Sequence, residues 1–540
     1  MSEQPLGTII TGSLSKGLEL KLDPQVPLES LRAGMFAIAG GTQYDFFSLI
    51  TDLELRSTTT EALEGPPPGA GSLLREVLAG DSIYAGATLR PHLMVDRQEP
   101  DDSKALLPVK TIPGHFTEVR RASEEDVQRV FGREEGSQYH FHIGTPLEMD
   151  EIAVCLDLKA FSERSNGIFG KSGTGKTFLT RMVLAGLVHR SPAVNLIFDM
   201  HGEYGWQGTD EGSASGRTAG LQQLFGRERV QVFTLDPRPG KKYDRELRIP
   251  YSFLEPEDVL SLQRVLGLSP TAAENAYILQ KKHRRDWFAA TLEMDTKGTA
   301  EEEQAHQGAL EALRRKLIRL QRECEGFLKP DTDVIEDAIP LIIQNLERGI
   351  HTVIDFGRYS GLTQYLLVAN ILTRRIDTRW REMTEEYLSD QDKRSKPRPL
   401  VITIEEAHKF LEPGVAEHTI FGRIARELRK YSVTLLIVDQ RPSQIEREVL
   451  SQLGTKICCL LDDPNDVEAV LAGTSTTGGL KSVLASLDTR QQALIFGHAL
   501  PMPVVVKTRS YDEQFKRAVG YRSEAERTQQ ARADRDQLWE

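Results

Sequence analysis

A chain of 540 residues with 27% charged and 39% hydrophobic side chains is long enough for several domains and has the balance of an ordinary globular protein. Its 67 basic and 79 acidic residues leave a net charge of −12, which excludes a generally basic surface. Overall charge therefore gives no support for a nucleic-acid partner, although local basic loops on an acidic body can still serve one. The four cysteines (Cys155, Cys324, Cys458, Cys459) have no metal-ligand spacing, and Cys458 and Cys459 lie in an apolar run as packing residues. No signal peptide opens the chain and no apolar run is long enough to cross a bilayer, so the expectation is a cytoplasmic enzyme without a membrane partner.

Residues 1–90 alternate apolar and polar positions between glycine turns, as in Leu18-Glu19-Leu20-Lys21-Leu22 and Met35-Phe36-Ala37-Ile38. Short strands at this spacing predict a small N-terminal β-barrel, and Gly65-Pro66-Pro67-Pro68-Gly69 predicts a loop because proline cannot donate to a ladder. Residues 91–150 are mixed and polar and read as a connector. Within them His140 and His142 alternate on an apolar strand; without a third ligand such histidines are structural more often than metal-binding.

From residue 151 the pattern becomes short apolar strands alternating with helices, which predicts an α/β core with a mostly parallel buried sheet. Over 151–254 that core contains Gly170-Lys171-Ser172-Gly173-Thr174-Gly175-Lys176-Thr177, a phosphate-loop pattern between the strand Gly167-Ile168-Phe169 and a helical stretch beginning at Phe178. Glycines let backbone N–H groups curl around phosphate oxygens, and the helix N-terminus adds a favourable dipole. Lys176 would reach the β and γ phosphates of ATP, and the Thr177 hydroxyl would hold Mg²⁺. Asp199-Met200-His201-Gly202-Glu203-Tyr204 closes the next strand, and the exposed loop from Gln207 to Thr218 follows, either lining a channel or simply connecting.

Residues 255–350 read as helices and interrupt the sheet pattern as a helical insertion. Their basic runs, Lys281-Lys282-His283-Arg284-Arg285 and Arg314-Arg315-Lys316, are open to two readings, solvated helix faces or contacts with DNA or a partner.

The second part of the core, 351–512, includes the strand Leu400-Val401-Ile402-Thr403-Ile404 ending in Glu405 and Glu406, which has the form of a Walker B element. Glu405 would contact Mg²⁺ directly or through water, and Glu406 would polarise the attacking water as general base. Arg423, Arg426 and Lys430 follow at helical spacing, with Arg429 on an adjoining face; such arginines neutralise γ-phosphoryl charge within a subunit or from a neighbour, or else form a solvated basic helix. Gln440 ends another strand, where it would sense the γ-phosphate, orient water or cap the next helix. The segment 384–398 reads as a charged surface loop, and 513–540 as a charged tail.

Together these segments resemble the HerA family of hexameric ATPases, relatives of the FtsK-type DNA translocases, over most of the chain. The barrel is similar to the domain that the family shares with rotary ATP synthases. The phosphate-loop region resembles the family's, including an upstream arginine at Arg164; Phe178 follows the loop. Asp199-Met200-His201-Gly202-Glu203-Tyr204, Glu405-Glu406-Ala407-His408, Arg426-Glu427-Leu428-Arg429-Lys430 and Gln440-Arg441-Pro442-Ser443 resemble its D-x-H-G-E-Y, acidic, arginine and sensor segments. Leu428 stands where the family usually has glycine, so Arg426 and Arg429 are both candidates for a trans-acting finger. The resemblance implies a RecA-like P-loop ATPase core, a homohexameric ring threading double-stranded DNA, and a NurA-like nuclease acting with it in DNA-end resection and repair. The alternative is an ATP-gated scaffold that assembles and activates an effector nuclease in anti-phage defence, with the barrel face as docking surface. A secretion or conjugation ATPase shares the core but calls for membrane attachment.

Overall fold

The computed structural model describes residues 5–57, 83–98, 106–209, 216–295, 307–334, 337–392, 394–413, 416, 419–474, 479–489 and 491–521. The Gly65–Gly69 loop, most of the 513–540 tail and the Arg429 side chain lie outside the described residues.

Seven N-terminal strands share one antiparallel sheet: β1 (Pro5–Ser13), β2 (Gly17–Leu22), β3 (Phe36–Gly40), β4 (Tyr44–Ser57), β5 (Ile83–Asp96), β6 (Leu106–Pro108) and β7 (Glu118–Arg121). The pairings β1–β2, β2–β5, β5–β4, β4–β3, β3–β7 and β7–β1 close six of them into a barrel, with β6 added outside on β5. Alternation along each strand serves two cores at once. Ala37, Ala39, Phe46, Ile50 and Met94 fill the barrel, whereas Phe36, Ile38, Phe47, Leu49, Leu93 and Val95 point out of it into the main core. There they meet the helix Glu124–Phe131, with the Phe36 and Phe131 rings 5.6 Å apart.

The barrel therefore extends past residue 90, and 91–150 is not a polar connector. That stretch supplies the second half of β5, β6, the closing strand β7, the helix Glu124–Phe131, and β8 (His140–Pro146), which already belongs to the large sheet. β7 has four residues, of which only Val119 is fully buried, too short an alternation to read as a strand.

The remaining strands of the large sheet are β9 (Val154–Asp157), β10 (Asn166–Phe169), β11 (Val194–Asp199), β14 (Val230–Thr234), β15 (Arg245–Glu246), β18 (His351–Asp355), β19 (Leu400–Glu405), β20 (Val433–Asp439), β21 (Thr455–Cys458), β22 (Gln492–Gly497) and β23 (Val504–Thr508). Two small pairs lie beside it, β12 (Gln207–Thr209) with β13 (Arg217–Ala219) and β16 (Ile249–Pro250) with β17 (Leu328–Lys329). The order is β15-β14-β18-β11-β19-β20-β10-β21-β22-β23-β8-β9. It is parallel from β15 to β21 and antiparallel beyond. β10, β11, β19, β20 and β21 are buried throughout, as expected of parallel strands covered on both faces.

The insertion packs on the long helix Leu362–Ser389. Arg374 of that helix pairs with Asp258 Oδ2 at 2.8 Å and with Glu255, and Asn370 Nδ2 donates to Ser261 Oγ at 2.8 Å. Among its described residues the insertion contains one strand, the two-residue β17, where the sequence predicts helices alone. The long helix also takes the first six residues of 384–398, because Trp380 and Thr384 are still buried and hold the turn to the core.

Candidate nucleotide site

β10 lies between β20 and β21 in the centre of the sheet, and the phosphate loop leaves its C-terminal end. The loop is moored to both neighbours: Gly170 N donates to Asp439 O at 3.3 Å and Lys171 N to Leu460 O at 3.2 Å. Gly173 and Gly175 have φ of 80° and 90°, and a Cβ added to either would meet nothing within 4 Å. The backbone turn, not crowding, requires glycine there, and the concave side stays open. Ser172 is exposed, and Thr174 closes the loop by donating from Oγ1 to Lys171 O at 2.8 Å. Gly175 caps the helix Lys176–Arg190 without any side-chain hydrogen bond, so the first-turn N–H groups are available to an anion. Phe178, one turn in, stacks under the Arg181 guanidinium at 5.0 Å and faces the Tyr511 ring at 6.5 Å.

Lys176 connects this loop to the acidic strand ends. Burial pulls its pKa down, and the carboxylates of Asp439, Glu406 and Glu405 act against that. The sheet order explains the convergence: β19 and β10 flank β20, so Glu405, Asp439 and Gly170 emerge side by side on one edge.

Glu405 is 7% exposed, and burial pushes its carboxyl up to about 8, with Asp199 adding to the rise. Tyr204 Oη donates to its Oε1 at 2.7 Å, while its Oε2 is buried with no partner. Tyr365 fixes the strand end, its hydroxyl donating to Glu405 O at 3.0 Å and accepting from Glu405 N at 3.1 Å. Glu406 has φ 49°, a left-handed conformation that a non-glycine residue adopts at some cost. Its Oε1 lies 3.4 Å from Gln440 Nε2, and its Oε2 lies 3.6 Å from His408 Nδ1.

An Mg²⁺–nucleotide complex suits this donor set. A Mg²⁺ in such a site keeps most of its ligands as water and phosphate, and needs one or two protein oxygens. The unpartnered Glu405 Oε2 and the hydroxyl of Thr177, beside Lys176, are available for that.

One site residue, Asp439, carries no sequence signal of its own. Asp439 is fully buried and accepts from His408 N at 2.7 Å and Arg441 N at 2.7 Å, and it lies 3.0 Å from His408 Nδ1. The pairing lowers the Asp439 pKa despite burial and raises that of His408. Asp199, at an edge position suited to catalysis, is instead turned inward: its carboxylate accepts from the N–H groups of Glu203, Tyr204 and Gly205 at 2.7, 2.9 and 3.1 Å. Its part is to shape the turn that delivers Tyr204.

The arginines are elsewhere. Arg164 precedes β10 at the opposite end of the strand from the loop, and packs its side chain on Gly454 with Nε buried and unpartnered. Arg426 lies on the helix Ile420–Glu427, which precedes β20; its Nε donates to Gly422 O at 3.2 Å and its Nη1 is 3.5 Å from Glu448. That helix stops at Glu427 and a 3-10 turn follows, and Arg423 is engaged by Asp377, so the basic residues do not form one continuous face. His140 and His142 lie on β8, and among the described residues no cluster of metal-ligating side chains forms around them.

The family model for the central domain of helicase HerA matches residues 141–376, which begin on β8, where the large sheet begins. Over that central stretch the chain is similar to HerA helicases. The DNA double-strand break repair helicase HerA of Pyrococcus furiosus is 23% identical over 417 residues, 73% of either chain. That of Saccharolobus solfataricus is 26% identical over 398 residues, 72% of either chain. A probable helicase of Methanocaldococcus jannaschii is 24% identical over 466 residues, 82% of this chain and 80% of its own. Among solved structures, the plasmid coupling protein TrwB with a GTP analogue is similar at a TM-score of 0.46 and 13% identity, covering 72% of this chain and 93% of that one. VirB4 of Thermoanaerobacter pseudethanolicus has the same TM-score and identity over 71% of this chain and all of its own. The match to the HerA central domain and the HerA helicase relatives make the chain an ATPase. Among the described residues no helix is long and apolar enough to cross a membrane.

Proposed function

We propose that this chain is an ATP-driven double-stranded DNA translocase or helicase of HerA type, working as a homohexameric ring with a partner nuclease in DNA-end resection and repair. One observation carries the reading. Lys176, Thr177, Glu405, Glu406 and Gln440 gather on one edge of the sheet, whereas Arg164 and Arg426 contact Gly454 and Glu448 and not the phosphate loop. A site that needs an arginine at the γ-phosphate is then completed by a neighbouring subunit. In that arrangement Lys176 and the loop amides hold ATP, Thr177 and Glu405 hold Mg²⁺, and Glu406 takes the proton of the attacking water while Gln440 orients it. Arg426 or Arg429 of the next subunit, with Arg164, neutralises the charge that develops. The relatives named as DNA repair helicases support DNA as the substrate. The barrel supplies the face on which a NurA-like nuclease or another effector docks.

The test is ATP turnover with and without duplex DNA, alongside the mass of the assembled particle. DNA-stimulated turnover that disappears in Glu406→Gln, in a six-subunit particle, is the expected result. Turnover indifferent to DNA of any form, with or without a nuclease partner, overturns the translocase reading and leaves the ATP-gated scaffold.

A further inference from the structure

The basic run of the insertion plays no part in the nucleotide site. It forms one wall of a cleft of about 660 Å³ between the helix Pro270–His283, residues 252–255 and the long helix. Lys281, Arg284, Arg285 and Arg375 line the cleft, and Glu255 is the one carboxylate among its described lining residues. Glu255 is already gripped by Arg374 and lies 3.9 Å from Arg375. Lys281, Arg284 and Arg285 have no ion-pair partner among the described residues. In a chain of net charge −12, these cations are left without neutralisation by their own surroundings.

Three further observations belong to the same place. Arg375 lays its guanidinium over the Phe253 ring at 4.2 Å with Nε buried and unpartnered, and burial together with neighbouring Arg374 pulls its pKa down. Arg284 holds φ 55° and ψ −122°, a conformation that strains a non-glycine residue. This kink ends the helix and places Arg284 and Arg285 on the cleft. Tyr277, 43% exposed, lines the mouth, and its hydroxyl is engaged by Glu257.

We propose that this cleft is a separate nucleic-acid contact, in which Lys281, Arg284, Arg285 and Arg375 grip the phosphodiester backbone of DNA and Tyr277 offers an aromatic face to a sugar or base. It rests on the reading of the chain as a DNA-dependent ATPase. Guanidinium forks match phosphate oxygens in pairs, and a ring beside them accepts a base regardless of sequence. The contact is therefore insensitive to sequence and strongly dependent on salt.

The experiment compares the full chain with a Lys281→Ala/Arg284→Gly/Arg285→Ala variant, measuring duplex DNA affinity across a salt series and ATP turnover without DNA. Glycine accepts the positive φ of residue 284 without strain, so the variant is expected to melt no lower than the parent. The expected result is at least a tenfold loss of affinity at about 100 mM salt and a salt slope smaller by about 2–3, at roughly 0.9 per phosphate neutralised, with DNA-free turnover unchanged. An Arg284→Lys/Arg285→Lys variant keeps most of the affinity. Equal affinity and slope in parent and triple variant overturn the cleft and leave the translocase reading standing. A parent chain that binds no duplex DNA overturns both. DNA-free turnover that falls together with affinity also overturns the cleft, since the substitutions then act through the fold.

Discussion

Tyr204 Oη donates a 2.7 Å hydrogen bond to Oε1 of Glu405, across 201 residues of chain, and the other oxygen of that carboxylate is left buried and unpartnered. The bond exists because β11 and β19 are neighbours with Phe198 opposite Ile404, so the turn after β11 and the end of β19 reach the same edge. One oxygen is anchored and the other is presented. Tyr204→Phe keeps the ring packed and removes the donor. The loss of one hydrogen bond to a charged group, about 1.5 kcal/mol, weakens the ionised form of Glu405. The Mg²⁺ concentration for half-maximal ATP turnover is expected to rise by about tenfold; an Mg²⁺ titration in which parent and variant coincide refutes this role for Tyr204.

The same carboxyl makes the metal-free chain sensitive to pH. Its folded pKa, about 8, is raised above the ordinary 4.5 by burial. A group raised on folding contributes stability that is fully present below its unfolded pKa and is lost as pH rises through the folded one. In EDTA the melting temperature is therefore expected to decline between about pH 5 and pH 8, and Glu405→Gln, which cannot ionise, flattens that decline. Added Mg²⁺ and ATP, which favour the carboxylate, restore stability at the alkaline end in the parent alone. Identical pH profiles for parent and Glu405→Gln in EDTA would contradict the assignment.

Much of this site was legible in the sequence because its chemistry is local. Gly170 to Thr177 must be contiguous to wrap a phosphate, and the strand ending in Glu405 and Glu406 must be apolar because it is buried on both faces. What stayed hidden depends on strand order. The Asp439–His408 pairing joins positions 31 residues apart, and Tyr204 finds Glu405 only because β11 lies beside β19. The positive φ of Glu406 leaves no mark on composition. The barrel is legible through the alternation of its longer strands, whereas the four-residue β7 that closes it contributes one buried side chain and reads as part of a connector.

Asp258 tests how the insertion is held. It is 1% exposed, and Arg374 pairs with it at 2.8 Å while it accepts from Glu255 N at 2.9 Å. Asp258→Ala leaves a largely buried guanidinium with Glu255 as its remaining partner and an N–H unsatisfied. Removing one partner of a buried pair costs about 3–5 kcal/mol, and the partial exposure of Arg374 puts the expectation near the lower end of that range. Denaturant unfolding followed by tryptophan fluorescence reads the change, since Trp287 is buried in the insertion. A shift within about 0.5 kcal/mol of the parent would mean that the insertion is held by its apolar contacts alone.

The last prediction concerns which chain supplies the arginine. Lys176→Ala removes the phosphate-binding lysine but leaves Arg426 intact; Arg426→Ala does the reverse. If Arg426 acts in its own subunit, every subunit in a mixture of the two variants lacks one essential group, and mixing restores nothing. If it acts across an interface, a subunit with Arg426→Ala beside one with Lys176→Ala has one complete site, made of the first chain's loop and the second chain's arginine. Random assembly at equal ratio makes about one quarter of the interfaces complete in a closed ring. Each variant alone is expected to turn over ATP about 10²–10⁴-fold more slowly than the parent, so even partial recovery stands well above either. The Arg426→Ala chain should still bind nucleotide, because its phosphate loop and Lys176 are untouched. A mixture no more active than its components, with exchange of subunits verified by mass, rules out Arg426 as the trans arginine, and the same pairing with Arg429→Ala and Arg164→Ala variants tests those two.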